Sequence, residues 1–155
     1  MTSLCCDVLD TLRAKGLTLA TAESLTGGGI GSALTAVPGA SDVFKGGVIS
    51  YVNSVKEEIL GVSREILDRY GAVSPWTAGA MASGVKKLLQ ADVAVSVTGL
   101  AGPGGDEFGH EVGTVYIGLD CPDKSLVTEN HFTGTREEIR NQTIAQALRL
   151  ILNNI

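Results

Sequence analysis

Leu4, Val8, Leu9 and Leu12 fall on one face of a 3.6-residue period, which predicts an amphipathic helix over residues 3–15 capped by Gly16. The apolar residues then gather into short runs. "LTLATA" (17–22) and "DVAVSVTG" (92–99) are unbroken and rich in β-branched residues, so both are predicted as buried strands. "GGVISYV" (46–52) is a further strand, and "VGTVYIGL" (112–119) and "SLVTENHF" (125–132) pair across the turn "DCPDK". Between these runs lie helix signals. "GGGIGSALTAV" (27–37) opens from a loop into a helix ended by Pro38-Gly39. Asn53 is placed to cap "SVKEEIL" with Gly61 as its stop, and Ser63 to cap "REILDRY" with Gly71 as its stop. Ser74-Pro75 starts a helix reaching about Gln90, and Thr135 with Glu138 forms a capping box for a last helix to about Leu152.

Helices and strands alternate early and a hairpin follows, a pattern that predicts a layered α/β domain with a mixed sheet. No linker, internal repeat or low-complexity segment interrupts it, and 155 residues fit a single domain over 1–155. Hydrophobic residues make up 44% and charged residues 19%, a globular balance. The formal charge of -5, with no basic run, argues against a nucleic-acid partner. Cys5, Cys6 and Cys121 are odd in number and two are adjacent, so no disulfide framework is expected. The absence of CxxC and HExxH motifs argues against zinc, and no other metal or cofactor is expected. The N-terminal segment lacks a basic region followed by an apolar one, and no apolar run is of membrane-spanning length. A cytoplasmic protein with no membrane partner is the expectation.

Two glycine-rich loops follow apolar strands. "TAESLTGGGIGS" places Glu23, Ser24 and Thr26 at a strand end, with Gly27 and Gly28 ahead of a helix whose N–H groups would attract an anion. It is neither a Walker A loop nor a GxGxxG fingerprint, and a tight turn with close helix packing explains it equally well. "VTGLAGPGGDEFGHEVGT" repeats the theme with Thr98, Gly99 and Gly102. Ligands of open α/β sheets gather at the carboxyl ends of strands, so the two loops are expected to share a cleft.

"AESLTGG" (22–28), "YVNSVKEEILGV" (51–62), "GAVS" (71–74) and "VTGLAGPGG" (97–105) together resemble the C-terminal domain family of the competence/damage-inducible protein CinA. The segments span nearly the whole chain in the family's order and spacing. The resemblance implies an α/β/α sandwich, usually a homo-oligomer, in a stand-alone form without the N-terminal pyrophosphatase-like domain of longer relatives. It implies hydrolysis of nicotinamide mononucleotide (NMN) to nicotinate mononucleotide and ammonia, in NAD recycling or in removal of NMN formed by DNA ligation. The family is described as using serine, lysine and tyrosine without a histidine. These map to Ser41 in "PGASDVF" and to Tyr51 and Lys56 in "YVNSVK", with Ser24 as the rival nucleophile in the more prominent motif.

The chemistry asks for a nucleophile, a base and an oxyanion pocket. A neutral lysine serves as base only if its pKa is lowered. Lys56 near the start of an Asn53-capped helix would be pushed that way by the helix dipole and by burial, with Glu57 and Glu58 opposing if they faced it. Tyr51 would relay a proton or align the amine. Ser41 would reach Lys56 only if the chain folds back, through a helical turn over "DVFK" and a reversal at Gly46-Gly47. Singly, each of these residues also has an ordinary role: Ser41 as a cap, Tyr51 as a strand-end packing residue, Lys56 as a solvated helix lysine. Arg136 and Arg140 are the candidates for a substrate phosphate beside the first glycine loop, though a solvated helix face suits them too. A catalytically silent nucleotide-binding module is the competing reading, and a hydrolase for another small amide a third.

Overall fold

The computed structural model describes residues 1–155. Six helices, α1 (Thr2–Lys15), α2 (Gly29–Thr35), α3 (Asn53–Glu58), α4 (Arg64–Tyr70), α5 (Pro75–Leu89) and α6 (Arg136–Asn154), flank five strands. The strands are β1 (Leu19–Glu23), β2 (Phe44–Ile49), β3 (Val93–Gly99), β4 (Thr114–Asp120) and β5 (Ser125–His131). They form one mixed sheet in the order β2-β1-β3-β4-β5. β1 runs parallel to both β2 and β3, and β3-β4 and β4-β5 are antiparallel. The α/β/α sandwich expected from the sequence is the fold observed.

Packing follows from which strands are covered on both sides. Every residue of β1 is buried, and β3 and β4 are buried over six of seven positions, so these strands read as continuous apolar runs. The edge strand β2 alternates between half-buried and exposed positions. α1, α2 and α6 cover one face through Val8, Leu12, Ile30, Ile144 and Leu148. α4, α5 and the α3–α4 connection cover the other through Leu60, Leu67, Met81 and Val85. α5 lies so near that connection that a Cβ on Gly84 would overlap the Leu60 carbonyl. No helix is long and apolar enough to cross a membrane.

Local signals set most boundaries. The Ser63 and Ser74 side chains accept from Ile66 N and Thr77 N, and Thr135 and Glu138 make both halves of the capping box. Three expectations shift. Asn53 is the first residue of α3 and does not cap it; Val52 holds the cap position without a side-chain bond. β2 starts and ends earlier than predicted, so Ser50 and Tyr51 leave the strand. The helical turn expected over "DVFK" is a 3₁₀ turn at Ala40–Asp42, because β2 already begins at Phe44.

A candidate active site at the carboxyl end of the sheet

β1, β2 and β3 are parallel and end on the same side of the sheet. Beyond their ends lies a cleft of about 500 Å³. Ser24, Tyr51, Lys56, Thr98, Gly102 and Arg136 are among its walls, with Phe108 at the loop side. This is where ligands bind in open α/β sheets, and the volume is that of a small-molecule site.

Ser24 is set by the turn that leaves β1. Its N–H donates to Val97 O, which extends the parallel ladder by one residue before the chain leaves the sheet. Gly27 and Gly28 then take φ of 59° and 97°, left-handed values that side-chain-bearing residues rarely adopt. The Glu23 carboxylate holds the turn from behind. It accepts from Thr26 Oγ1 at 2.6 Å, Ile30 N at 2.9 Å and Gly31 N at 3.0 Å. The sequence reading placed an anion-binding site at this helix start. In the fold the anion is Glu23 itself, which is buried and already uses those donors, so Glu23, Thr26, Gly27 and Gly28 build the turn and do not line the cleft.

Arg140 belongs to the same scaffold. Its Nε donates to Leu25 O at 2.9 Å and its Nη2 to Thr26 O at 3.1 Å, so it braces the turn from α6. It does not line the cleft, contrary to the expectation of a substrate contact. Leu25, the residue after Ser24, does line it, and its N–H makes no hydrogen bond within the fold.

Lys56 reaches Ser24 from α3. The two side chains meet with Nζ and Oγ 3.0 Å apart. Nζ also donates to Ser50 O at 2.5 Å. Lys56 is only 1% exposed, and burial lowers its pKa from 10.5 to about 8. Desolvation is the cause, which is the burial effect expected from the sequence beside the helix dipole. Glu57 does not oppose it, because its carboxylate pairs with Arg64 at 3.3 Å. Ser50 closes a circuit: its N–H donates at 2.7 Å to the carbonyl of Glu23, the residue before Ser24.

The structure does not bring Ser41 to Lys56. Ser41 is exposed on the 3₁₀ turn and lines a separate surface depression with Thr35, Phe44 and Lys45. The chain between Ser41 and Tyr51 runs out along β2 instead of folding back, which carries Ser41 away from the strand ends. Tyr51 flanks the cleft but is 58% exposed and makes no hydrogen bond with Lys56; its hydroxyl accepts from Arg136 Nη2 at 3.1 Å.

The opposite wall is the loop after β3. Thr98, Gly99 and Gly102 line the cleft as expected from the sequence, joined by Gly104, Gly105 and Asp106. Asp106 shapes the loop by accepting from Phe108 N and His110 N and pairing with His110 Nδ1 at 2.7 Å. These bonds hold its carboxyl below the usual range despite partial burial. Phe108 packs where a side chain on Gly71 would sit. Ala72 and Val73 form the floor, secured by Thr98 Oγ1, which donates to Ala72 O at 2.7 Å. No cluster of three or more His, Cys, Asp or Glu side chains is gathered as a metal ion would require.

The family model of the CinA C-terminal domain matches residues 1–155. A CinA-like protein of Synechococcus sp. (strain RCC307) is 46% identical over 151 residues, covering 96% of this chain and 36% of its own length. The chain spans about a third of the length of the curated relatives it matches. Among solved structures, the competence damage-inducible protein A from Klebsiella pneumoniae subsp. pneumoniae MGH 78578 superposes with a TM-score of 0.97 at 32% identity, covering 99% of this chain and 95% of that one. The competence/damage inducible protein CihA from Agrobacterium tumefaciens gives 0.94 at 38% identity, covering 99% and 95%.

Proposed function

We propose that this chain, which belongs to the CinA C-terminal domain family, is an amidohydrolase that converts NMN to nicotinate mononucleotide and ammonia through a Ser24–Lys56 pair. The observation that carries this reading is a buried lysine amine 3.0 Å from a serine hydroxyl at the wall of a cleft of small-molecule size. A serine hydroxyl is a weak nucleophile without a base, and a lysine with pKa near 8 has a substantial neutral fraction near neutral pH.

In this reading the neutral Lys56 amine takes the Ser24 proton as Oγ attacks the carboxamide carbon. The carbonyl electrons move to oxygen, and the Leu25 N–H, free of partners within the fold, is the nearest backbone donor in sequence for that oxyanion. Collapse of the intermediate breaks the C–N bond, and the Lys56 ammonium returns its proton to the leaving amide nitrogen, which departs as ammonia. Water then attacks the acyl ester with the same amine as base, the acyl–Oγ bond breaks, the Lys56 ammonium returns its proton to Ser24 Oγ, and the carboxylate product leaves. The Ser50 carbonyl accepts a second hydrogen bond from the amine and so helps to fix it. Tyr51 supplies a ring at the mouth on which a pyridine can stack.

Ammonia release from NMN by the purified protein tests the reading. Ser24→Ala and Lys56→Met are expected to lose on the order of a thousandfold or more in kcat, while Ser41→Ala keeps full activity. Loss in Ser41→Ala with activity intact in Ser24→Ala would overturn the assignment. Tight binding of NMN without turnover would favour a silent nucleotide-binding module.

A further inference from the structure

We infer that residues 106–110, at the tip of the loop after β3, form a self-supporting flap that turns as one body at the cleft mouth, and that Asp106 is the positioning residue that keeps it one body. The inference rests on the amidase reading only for what the flap closes over. The flap itself is argued from the bonds the loop makes and those it lacks.

Backbone polar groups of a long loop must find partners, and where they find them decides what moves together. Here they find them inside the loop. Asp106 Oδ1 accepts from Phe108 N at 3.1 Å and from His110 N at 3.0 Å, and Oδ2 pairs with His110 Nδ1 at 2.7 Å. Gly109 N adds a bond to Asp106 O at 3.4 Å. The Asp106 and His110 side chains are only 17% and 24% exposed, so water competes weakly for this staple. None of the bonds made by residues 106–110 reaches another element.

The stems of the loop are held instead by the body of the protein. Gly113 N donates to Leu100 O at 2.8 Å and Leu100 N to Thr114 O at 3.0 Å, which sets the two ends side by side. Arg136 Nη1 holds Gly102 O at 2.6 Å from α6. Closed ends and a tip packed on its own side chains are the marks of an Ω-loop. Between stem and tip lie Gly104 and Gly105, whose N–H groups have no partner within the fold, and a Cβ on Gly104 would meet open space. Such a pair absorbs backbone rotation at little steric cost.

Two ring contacts rest the tip on the body. Phe108, itself 41% exposed, packs against Gly71 beside the floor of the cleft, and the His110 ring meets Tyr116 edge-on with centroids 6.3 Å apart. Phe108 is thus a partial latch, and the staple behind it lets the tip lift without unravelling. Lids of this kind exclude water once substrate has entered.

NMR relaxation dispersion on the full chain tests the flap without substrate. The amides from Asp106 to His110 are expected to share one exchange rate in wild type. Phe108→Ala should change that rate while the amide of His110 keeps its protection from hydrogen exchange. Asp106→Ala should replace the shared rate with unrelated ones and speed exchange at His110 about tenfold or more. Asp106→Asn, which keeps an acceptor oxygen, should restore most of the protection. No dispersion in wild type, or rates that differ from residue to residue, would overturn the flap. Loss of His110 protection in Phe108→Ala would overturn it too, since the loop would then lean on Gly71 and not on Asp106. With NMN, Asp106→Ala should raise KM about tenfold with a smaller change in kcat, because the Ser24–Lys56 pair is untouched; an unchanged KM would remove Asp106 as a positioning residue. Should wild type release no ammonia, the amidase reading fails, and the dispersion and exchange results still decide the flap.

Discussion

At the scale of single residues, the candidate site is a short circuit through the backbone. Ser24 follows Glu23; the Glu23 carbonyl accepts from Ser50 N; the Ser50 carbonyl accepts from Lys56; and Lys56 returns to Ser24 Oγ. Each member is set by its neighbour, so the amine has little freedom to leave the hydroxyl. Activity should follow ionisation of that amine. The base works only when neutral, so kcat/KM should rise with pH along a limb centred near pH 8, the value to which burial lowers Lys56. A rate profile on NMN from pH 6 to 10 checks this, and a flat profile would count against the amine as base. Lys56 was identifiable in the sequence only through its motif. Nothing local in "SVKEEIL" separates a solvated helix lysine from a buried one, because burial comes from chain segments far along the sequence. The choice between Ser24 and Ser41 is of the same kind: Ser24 lies ahead of a helix and Ser41 within a helical turn, and only the direction of β2 takes Ser41 out of reach.

At the scale of elements, the strand–turn–helix from β1 to α2 is the device that presents Ser24. Its helix start is closed by an internal carboxylate, so the turn is rigid before any ligand arrives. Glu23→Gln replaces one of two acceptor oxygens with a donor and leaves Ile30 N or Gly31 N without a partner. Thermal or denaturant unfolding should show a loss of about 1–3 kcal/mol, and ammonia release should fall with it as Ser24 loses its support. An unaltered stability would mean that the carboxylate does not carry the turn. Element types were readable from the sequence because caps and periodicity are local: Ser63, Ser74 and the Thr135–Glu138 box each start a helix where expected. The start of α2 was misread for an equally physical reason. Its free N–H groups do attract an anion, but whether that anion is a ligand or the protein's own side chain depends on where the preceding glutamate points.

At the scale of the whole molecule, the order β2-β1-β3 brings three strand ends and the N-terminal turn of α6 to one edge of the sheet. The two glycine loops were expected to share a cleft, and the topology gives them different duties. Both reach the cleft, the first through Ser24 and Leu25 on a turn braced from behind, and the second along a wall from Thr98 to Phe108. That division follows from strand order, which alternation of hydrophobic runs does not encode.

A charged amine held away from water also weighs on the molecule that carries it. An unfolded chain would keep the Lys56 proton up to about pH 10.5, whereas the native one releases it near pH 8. Between those values the unfolded state binds more protons, so native stability climbs as the medium becomes more alkaline; below pH 8 the full penalty, about 3 kcal/mol, stands against the fold. Lys56→Met should therefore unfold at higher urea concentration than wild type at pH 7, with the gap narrowing toward pH 10. A gap of constant size would show that the lysine is not destabilising through its charge. If the gap behaves as expected, the protein gives up robustness at neutral pH to keep a reactive amine in place, and selection for hardiness alone would discard that residue first.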